Sequence, residues 1–415
     1  MATAGVAALP RPTHRASDSF NVRSSASSDS SNGGLADEKR QAALNLLFKS
    51  QRRRKQKDAD EFSLDSLDPL DRASQTNRLR TFRTSFRYLR NLTQQQVDDY
   101  MASYEIYNLD WNDKKAMRAA FGPSYQSRVD SALQAYYHVI NHLCALGSVE
   151  KMYIPPLMDK RASVLENQLL YERAIAHTIG LKAGDRVLDL GCGRGRVAAH
   201  MATAIPGVKV TGINVDPNQV GQAREFTAER GLPNEFIVKS FNQLPLPFAN
   251  DQFDALYQIQ ALSLCEDLPG LFKEIYRIVK PGARISLLDW VSLPAYDPTN
   301  AEHVELMRRV KPLIGAVGTP TPASLEQAVE SAGFVVIKSE NASVGGLQAP
   351  LIDKVDIYFR GMRQMILAMV KLRLLPPHFK TLIDRLCLDG QAFVRMDKMR
   401  LITTSYWVVA EKPLQ

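Results

Sequence analysis

Cysteine is scarce: Cys144, Cys192, Cys265 and Cys387 are the only four in 415 residues, and no two form a C-x-x-C pair. That scatter excludes a disulfide framework and a structural zinc site, and it fits a reducing compartment. Long apolar runs are also missing, because charge or proline interrupts each one well short of the roughly 20 residues that a membrane-spanning helix needs. No apolar signal-peptide core opens the sequence. The expected location is therefore the cytoplasm, with a peripheral contact to the endoplasmic reticulum left open. None of the seven histidines has metal-ligand spacing, so no metal is expected. The formal net charge of +8 sits partly in the run Arg52-Arg53-Arg54-Lys55. No aromatic and basic interleaving accompanies it, which argues against a nucleic-acid partner.

Residues 1–75 are rich in Ser, Ala, Arg, Asn and Asp, with apolar periodicity confined to Ala42 to Phe48. They read as a disordered tail. A transit peptide is the rival reading, favoured by Arg11, Arg15 and Arg23 and opposed by Asp18 and Asp29. From Leu79 to Leu146 the apolar positions, among them Phe82, Phe86, Leu89, Leu133, Tyr136, Tyr137 and Ile140, recur at helical spacing. This predicts a helical cap over 76–165.

The core is expected over 166–345. A helix carrying Leu169, Leu170, Ala174 and Ile175 stops at Gly180, and a strand follows at Arg186 to Leu190. Strand-like runs then alternate with helical ones: Val208–Ile213, helix 217–230, Phe236–Lys239, Ala255–Ile259, helix 268–279, Arg284–Trp290, helix 322–332 and Phe334–Lys338. Such alternation predicts an α/β fold, a doubly wound, seven-stranded Rossmann-like sheet. A helical insert from about 350 to 398 precedes the last strand near Tyr406 to Glu411, so 346–415 reads as a substrate lid plus that strand.

The segment that carries chemistry is Val187-Leu188-Asp189-Leu190-Gly191-Cys192-Gly193-Arg194-Gly195. A strand runs into glycines, which let backbone approach a bulky ligand, and a helix follows. G-x-G alone is weak; the apolar strand before it and the polar Asn214 and Asp216 about 20 residues on make it specific. Asp189 discriminates between ligands, because a carboxylate there repels a pyrophosphate but accepts hydrogen bonds from the ammonium of S-adenosylmethionine. That cofactor is preferred to a dinucleotide. Asn214 is placed for the ribose hydroxyls, with Asp216 either a substitute or a helix cap ahead of Pro217. Ser240, Phe241, Asn242 and Gln243 are candidates for an adenine edge contact and a stacking ring, or form an ordinary loop. Cys192 has no nearby histidine to activate it and reads as a packing residue.

Several separate blocks resemble the sterol 24-C-methyltransferase family over residues 136–413. They are Tyr136-Tyr137; Glu172; Gly212-Ile213-Asn214 with Gln219; Glu274 to Gly282; Asp289-Trp290-Val291; and the stretch from Phe359-Arg360 to Glu411-Lys412-Pro413. The resemblance implies a class I methyltransferase whose last strand inserts antiparallel beside the fifth. Its cofactor set here is Asp189, Gly191, Cys192, Gly193, Gly195, Asn214, Asp216, Gln219, Phe241, Asn242 and Gln260. The departures fall elsewhere. The family's Tyr-Glu-Tyr-Gly-Trp stretch is replaced by Cys144-Ala145-Leu146-Gly147-Ser148, and Gln260 and Leu264 stand where it has Glu and His.

Those changes suggest a different but still apolar acceptor: a specialised metabolite such as a terpenoid, polyketide or peptide-derived compound. The alternatives are a true sterol, and a cofactor-binding scaffold or cyclase that transfers no methyl. Candidate bases are Glu172 and Asp289, at acidic family positions, and His142, on a helix expected to line the entrance. Each has a plainer reading: an exposed helix residue, a loop cap, a packed histidine. Met362, Met365, Ile366, Met369, Val370 and Leu372 alternate with Arg360, Arg363, Lys371 and Arg373 as a basic amphipathic helix. It reads as a lid or membrane-surface contact, or as plain packing. A nucleic-acid methyltransferase is disfavoured, since Gln258-Ile259-Gln260-Ala261 stands where its Asn/Asp-Pro-Pro-Tyr tetrapeptide would be. Acceptor atom and oligomeric state stay open.

Overall fold

A computed structural model describes residues 62–68, 71, 78–123, 125–147 and 149–414. The Arg52–Lys55 run, the 42–48 stretch, the transit-peptide arginines and Ser148 lie outside the described residues. Ahead of the sheet come α1 (Arg78–Arg90), α2 (Gln94–Ala102), α3 (Lys114–Phe121), the long α4 (Tyr125–Leu146) and α5 (Val164–Thr178). The alternating part runs β1 (Arg186–Leu190), α6 (Arg196–Ala204), β2 (Lys209–Asn214), α7 (Pro217–Glu229), β3 (Glu235–Val238), β4 (Phe253–Ile259), α8 (Leu268–Ile278), β5 (Val279–Ser292), α9 (Ala301–Ile314), α10 (Pro322–Ser331) and β6 (Val335–Asn341). Then α11 (Ala349–Lys371), α12 (His378–Leu386) and α13 (Gly390–Lys398) separate β6 from β7 (Ile402–Glu411).

The seven-stranded sheet has the order β3-β2-β1-β4-β5-β7-β6. The first five strands are parallel, and β7 runs antiparallel between β5 and β6, as expected. Val187, Leu188 and Leu190 of β1 are fully buried, because helices cover both faces of a doubly wound sheet. Helix starts follow local chemistry. Ser163 with Glu166 and Thr321 with Ser324 form capping boxes at α5 and α10, and Asp216 caps α7 ahead of Pro217.

Helix α4 buries Val129, Leu133, Tyr136, Val139, Ile140 and Leu143, one face at three- and four-residue spacing. That face shares one apolar cluster with Met362 and Ile366 of α11 and Phe379, Leu382 and Ile383 of α12. Cap and lid therefore form a single packed body beside the sheet.

Two expectations need correction. Composition extends a disordered tail to residue 75, yet Phe62 is buried against α5 in a cluster with Tyr171 and Ile175. Asp71 is 2% exposed and bonds His200. An apolar ring and a carboxylate with a buried partner hold a segment whose composition alone reads as disorder. Second, α9 occupies a stretch with no expected element; Asn300 caps it, accepting from the amides of Glu302 and His303. Among the described residues no helix is long and apolar enough to cross a membrane.

Candidate active site

At the carboxyl edge of β1 the chain turns through Gly191, Gly193 and Gly195, at φ 93°, 52° and 70°. L-residues avoid that region, and two of the positions are also sterically closed. A Cβ on Gly191 would lie 2.8 Å from the Ala261 Cβ, and one on Gly195 would lie 2.8 Å from both Ala223 and Phe236. Gly195 is the N-cap of α6, so the turn delivers the first amides of that helix to the sheet edge.

A cleft partly open to solvent lies against this turn. One wall is Asp189, Gly191, Cys192, Gly193, Arg194 and Arg196, with Gln219 and Ile259; the facing wall is the segment Glu150 to Tyr153.

Asp189 is buried and accepts one hydrogen bond, from the Tyr257 hydroxyl at 2.8 Å. Burial, reinforced by the nearby Glu172 charge, pushes its carboxyl up to about 7. Arg194 donates to the Glu150 carbonyl at 2.8 Å, while its Nε is buried without a partner. A buried orphan donor and a carboxylate with spare acceptor capacity, beside backbone that tolerates no Cβ, suit a zwitterionic amino-acid group.

Behind the facing wall, Glu172 is completely buried. It accepts from Lys151 Nζ at 2.7 and 2.6 Å, from the Tyr153 hydroxyl at 2.6 Å, and bonds His200 Nδ1 at 2.6 Å. His200 Nε2 in turn meets Asp71 at 3.0 Å. Burial alone would raise the Glu172 pKa, but Lys151 and His200 together hold it below the usual carboxylate value. The two carboxylates conversely raise that of His200 against its own burial. Glu172 is thus neither an exposed helix residue nor a free base; it orients Lys151 and Tyr153, which reach the cavity.

The remaining expected positions divide. Asp189, Gly191, Cys192, Gly193 and Gln219 meet at the cavity. Cys192 also packs tightly over Gly212. Asn214 accepts from the Asp216 amide at 2.8 Å; one carboxylate oxygen of Asp216 caps α7 and the other is buried without a partner. Phe241 packs between two apolar clusters. The Asn242 amide bridges the Leu264 carbonyl and the Glu266 N–H, which fixes the loop after β4.

The Gln260 side chain is absent from the cavity wall. It accepts from the Ile154 N–H at 2.9 Å and donates to the carbonyls of Ile154 and Thr404 at 2.7 and 2.8 Å. Its amide is spent holding the 150–155 segment to β7, which removes it from the expected ligand set.

Asp289, near the carboxyl end of β5, accepts from the amides of Leu262 and Trp290 and from Gln258 Nε2, at 2.7–2.9 Å. Burial raises its carboxyl to about 6 despite those bonds. His142 stacks on Tyr88 at 4.0 Å and bonds Ser85 at 3.1 Å, and burial lowers it to about 3. It is a packed histidine inside the cap. Lys151, Tyr153, His200 and Asp71 carried no motif in the sequence; Arg194, inside the glycine turn, was visible there.

Residues 187–282, from β1 into β5 and so including the whole glycine turn, match the family described as Methyltransferase domain. The chain is a class I S-adenosylmethionine-dependent methyltransferase. Among its relatives, this methyltransferase is 26% identical over 297 residues to methyltransferase phqN of Penicillium fellutanum, spanning 66% of this chain and 87% of that one. It resembles the sterol 24-C-methyltransferases: the enzyme of Pneumocystis carinii is 28% identical over 271 residues, 59% of this chain and 70% of the relative. The botryococcene C-methyltransferase of Botryococcus braunii is 30% identical over 256 residues, covering 60% and 66%.

Proposed function

We propose that this methyltransferase acts on an apolar small-molecule acceptor, a specialised metabolite of terpenoid, polyketide or peptide-derived type. The observation that carries the reading is the cap body next to the cofactor cavity. Arg194 in the cavity wall donates to the Glu150 carbonyl, and the neighbouring Val149 N–H donates to the Cys144 carbonyl at the end of α4, at 3.0 Å. There Gly147 packs on the Phe359 ring of α11, so closely that a Cβ would lie 2.8 Å from it. The end of α4 at this contact, Cys144-Ala145-Leu146-Gly147, lacks the aromatic and acidic side chains that the sterol enzymes carry there, and Cys144 and Leu146 share a cluster with Met362 and Ile366. Relatives named for a sterol and for botryococcene substrates make an apolar acceptor the common denominator.

For the cofactor, Asp189 would take the ammonium, and Lys151, Arg194 and the amides at the start of α6 would hold the carboxylate. Asn214 and the free Asp216 oxygen would hold the ribose, and Phe241 would border the adenine. When bound, the cofactor supplies an electrophilic methyl group. The chain's own task is then to align the acceptor and exclude water, which effective molarity converts into rate. Of the three candidate bases, Asp289 is the one left for that role, since it lies near the carboxyl end of β5, the edge where ligands bind such sheets. Glu172 positions, and His142 packs.

The test is incubation of purified protein with methyl-labelled cofactor, a sterol panel and a host lipid extract. Label in a non-sterol apolar product supports the reading. Label confined to a Δ24-sterol establishes the sterol alternative, and cofactor binding without S-adenosylhomocysteine formation establishes the scaffold.

A further inference from the structure

Helix α11 leaves an apolar stripe uncovered. Ile357, Gly361, Met365, Ala368 and Leu372 recur at the spacing of one helical face, and Ile357, Met365 and Leu372 are 62%, 57% and 69% exposed. The opposite face, with Ile352, Met362 and Ile366, is buried. The helix then stops abruptly: Arg373 adopts φ 60°, and the Leu374 N–H donates to the Met369 carbonyl at 2.9 Å. That tight end holds Leu372 and Leu374, the latter 59% exposed, on the tip.

Along the stripe the charges have one sign. From Ile357 to Leu374 there are four basic side chains and no acidic one, Asp353 and the buried Asp356 lying before it. Arg360 pairs with Asp356 and Arg363 with Asp384, whereas Lys371 and Arg373 stand outside the ion pairs formed among the described residues. A second basic element lies alongside. Helix α1 packs on the start of α12 through Phe86 and Phe379, ring centroids 6.0 Å apart, and through a 2.9 Å bond from His378 Nε2 to the Leu89 carbonyl. It carries five arginines, of which Arg80 pairs with Glu229, no acid, and an exposed Phe82.

Contiguous exposed apolar groups mark an interaction surface, and apolar side chains flanked by cations match an anionic bilayer. We propose that the tip of α11, with α1 beside it, docks on a lipid surface bearing anionic headgroups. Leu372 and Leu374 enter the headgroup and acyl boundary, and Lys371 and Arg373 meet lipid phosphates. The proposal stands apart from the identity of the acceptor, because docking is read without turnover.

The test is co-sedimentation of the full chain with phosphatidylcholine vesicles, with and without one-third phosphatidylserine. Expected is salt-sensitive binding to the anionic vesicles. Lys371→Gln with Arg373→Gln lowers it by roughly 25-fold, at about fivefold per cation. Leu372→Asp with Leu374→Asp abolishes it, while both doubly substituted proteins keep the wild-type cofactor affinity and melting temperature. No binding by the wild type overturns the proposal. So does binding that survives the leucine substitutions, which would assign it to the Arg52–Lys55 run. A wild-type dimer that the leucine substitutions convert to monomer makes this face a contact between copies and equally overturns it.

Discussion

The buried Asp189 makes cofactor affinity depend on pH with a sign and a size. Its carboxyl is raised to about 7 in the free protein, so near neutrality much of it is protonated and cannot receive the cofactor's ammonium. Binding favours the ionised form and releases a proton, so affinity rises with pH. The ionised fraction grows from about 0.09 at pH 6 to about 0.76 at pH 7.5, an eightfold tightening worth roughly 1.2 kcal/mol. The upper limit stays below the roughly 7.7–8.0 range of α-amino groups, where the ligand itself begins to lose its charge.

Titration calorimetry at pH 6, 6.5, 7 and 7.5, in two buffers of different ionisation enthalpy, reads both the Kd and the protons released. Asp189→Asn should bind more weakly at pH 7.5 and show a flat profile. Folding linkage gives an independent check. A carboxyl raised in the folded state makes the free protein lose stability as pH rises from the ordinary carboxylate value to about 7. The cofactor-induced rise in Tm should therefore be larger at pH 7.5 than at pH 6. A flat wild-type profile, or a slope that persists in Asp189→Asn, refutes the assignment.

Other outcomes follow from the same geometry. Gly195→Ala places a Cβ 2.8 Å from Ala223 and Phe236 at a positive φ, and should cost about 2–4 kcal/mol in urea unfolding. Glu172→Gln leaves the buried Lys151 without its counter-charge and should destabilise by about 3 kcal/mol, with cofactor Kd weakened; a stable variant with kcat alone abolished would instead make Glu172 the base. Asp289→Asn should lower kcat by roughly 10²–10⁴-fold if a proton is taken at Asp289, with Kd for the cofactor unchanged; unchanged kcat with a loss of about 1–3 kcal/mol in stability leaves it a brace for the turn at Leu262. Gln260→Ala frees Ile154 from β7 and should raise hydrogen exchange in the 150–155 segment; unchanged exchange there denies its role as a clamp.

Much of the sheet was legible in sequence because its signals are local. The parallel strands carry short apolar runs, and Asp216 ahead of Pro217 announces the helix it caps. Helix α9 escaped because Pro312 lies within it and broke the pattern. The glycine turn was legible for a steric reason that spacing preserves. The charged network was not: Asp71, Lys151, Glu172 and His200 come from four separate segments, and no periodicity links them before the chain folds. Gln260 was misread because adjacency to a strand end says nothing of side-chain direction. At φ 51° its side chain leaves the cavity for the Ile154 backbone.

Strand β7 is the last of the seven to be synthesised, yet it sits inside the sheet, with a ladder to β5 on one side and to β6 on the other. Until it emerges from the ribosome, β5 presents a bare edge and β6 has no neighbour at all. The nascent protein must carry that open edge through the making of α11, α12 and α13. Premature pairing with another chain is the hazard of that interval, and a chaperone that shields strand edges would act during it.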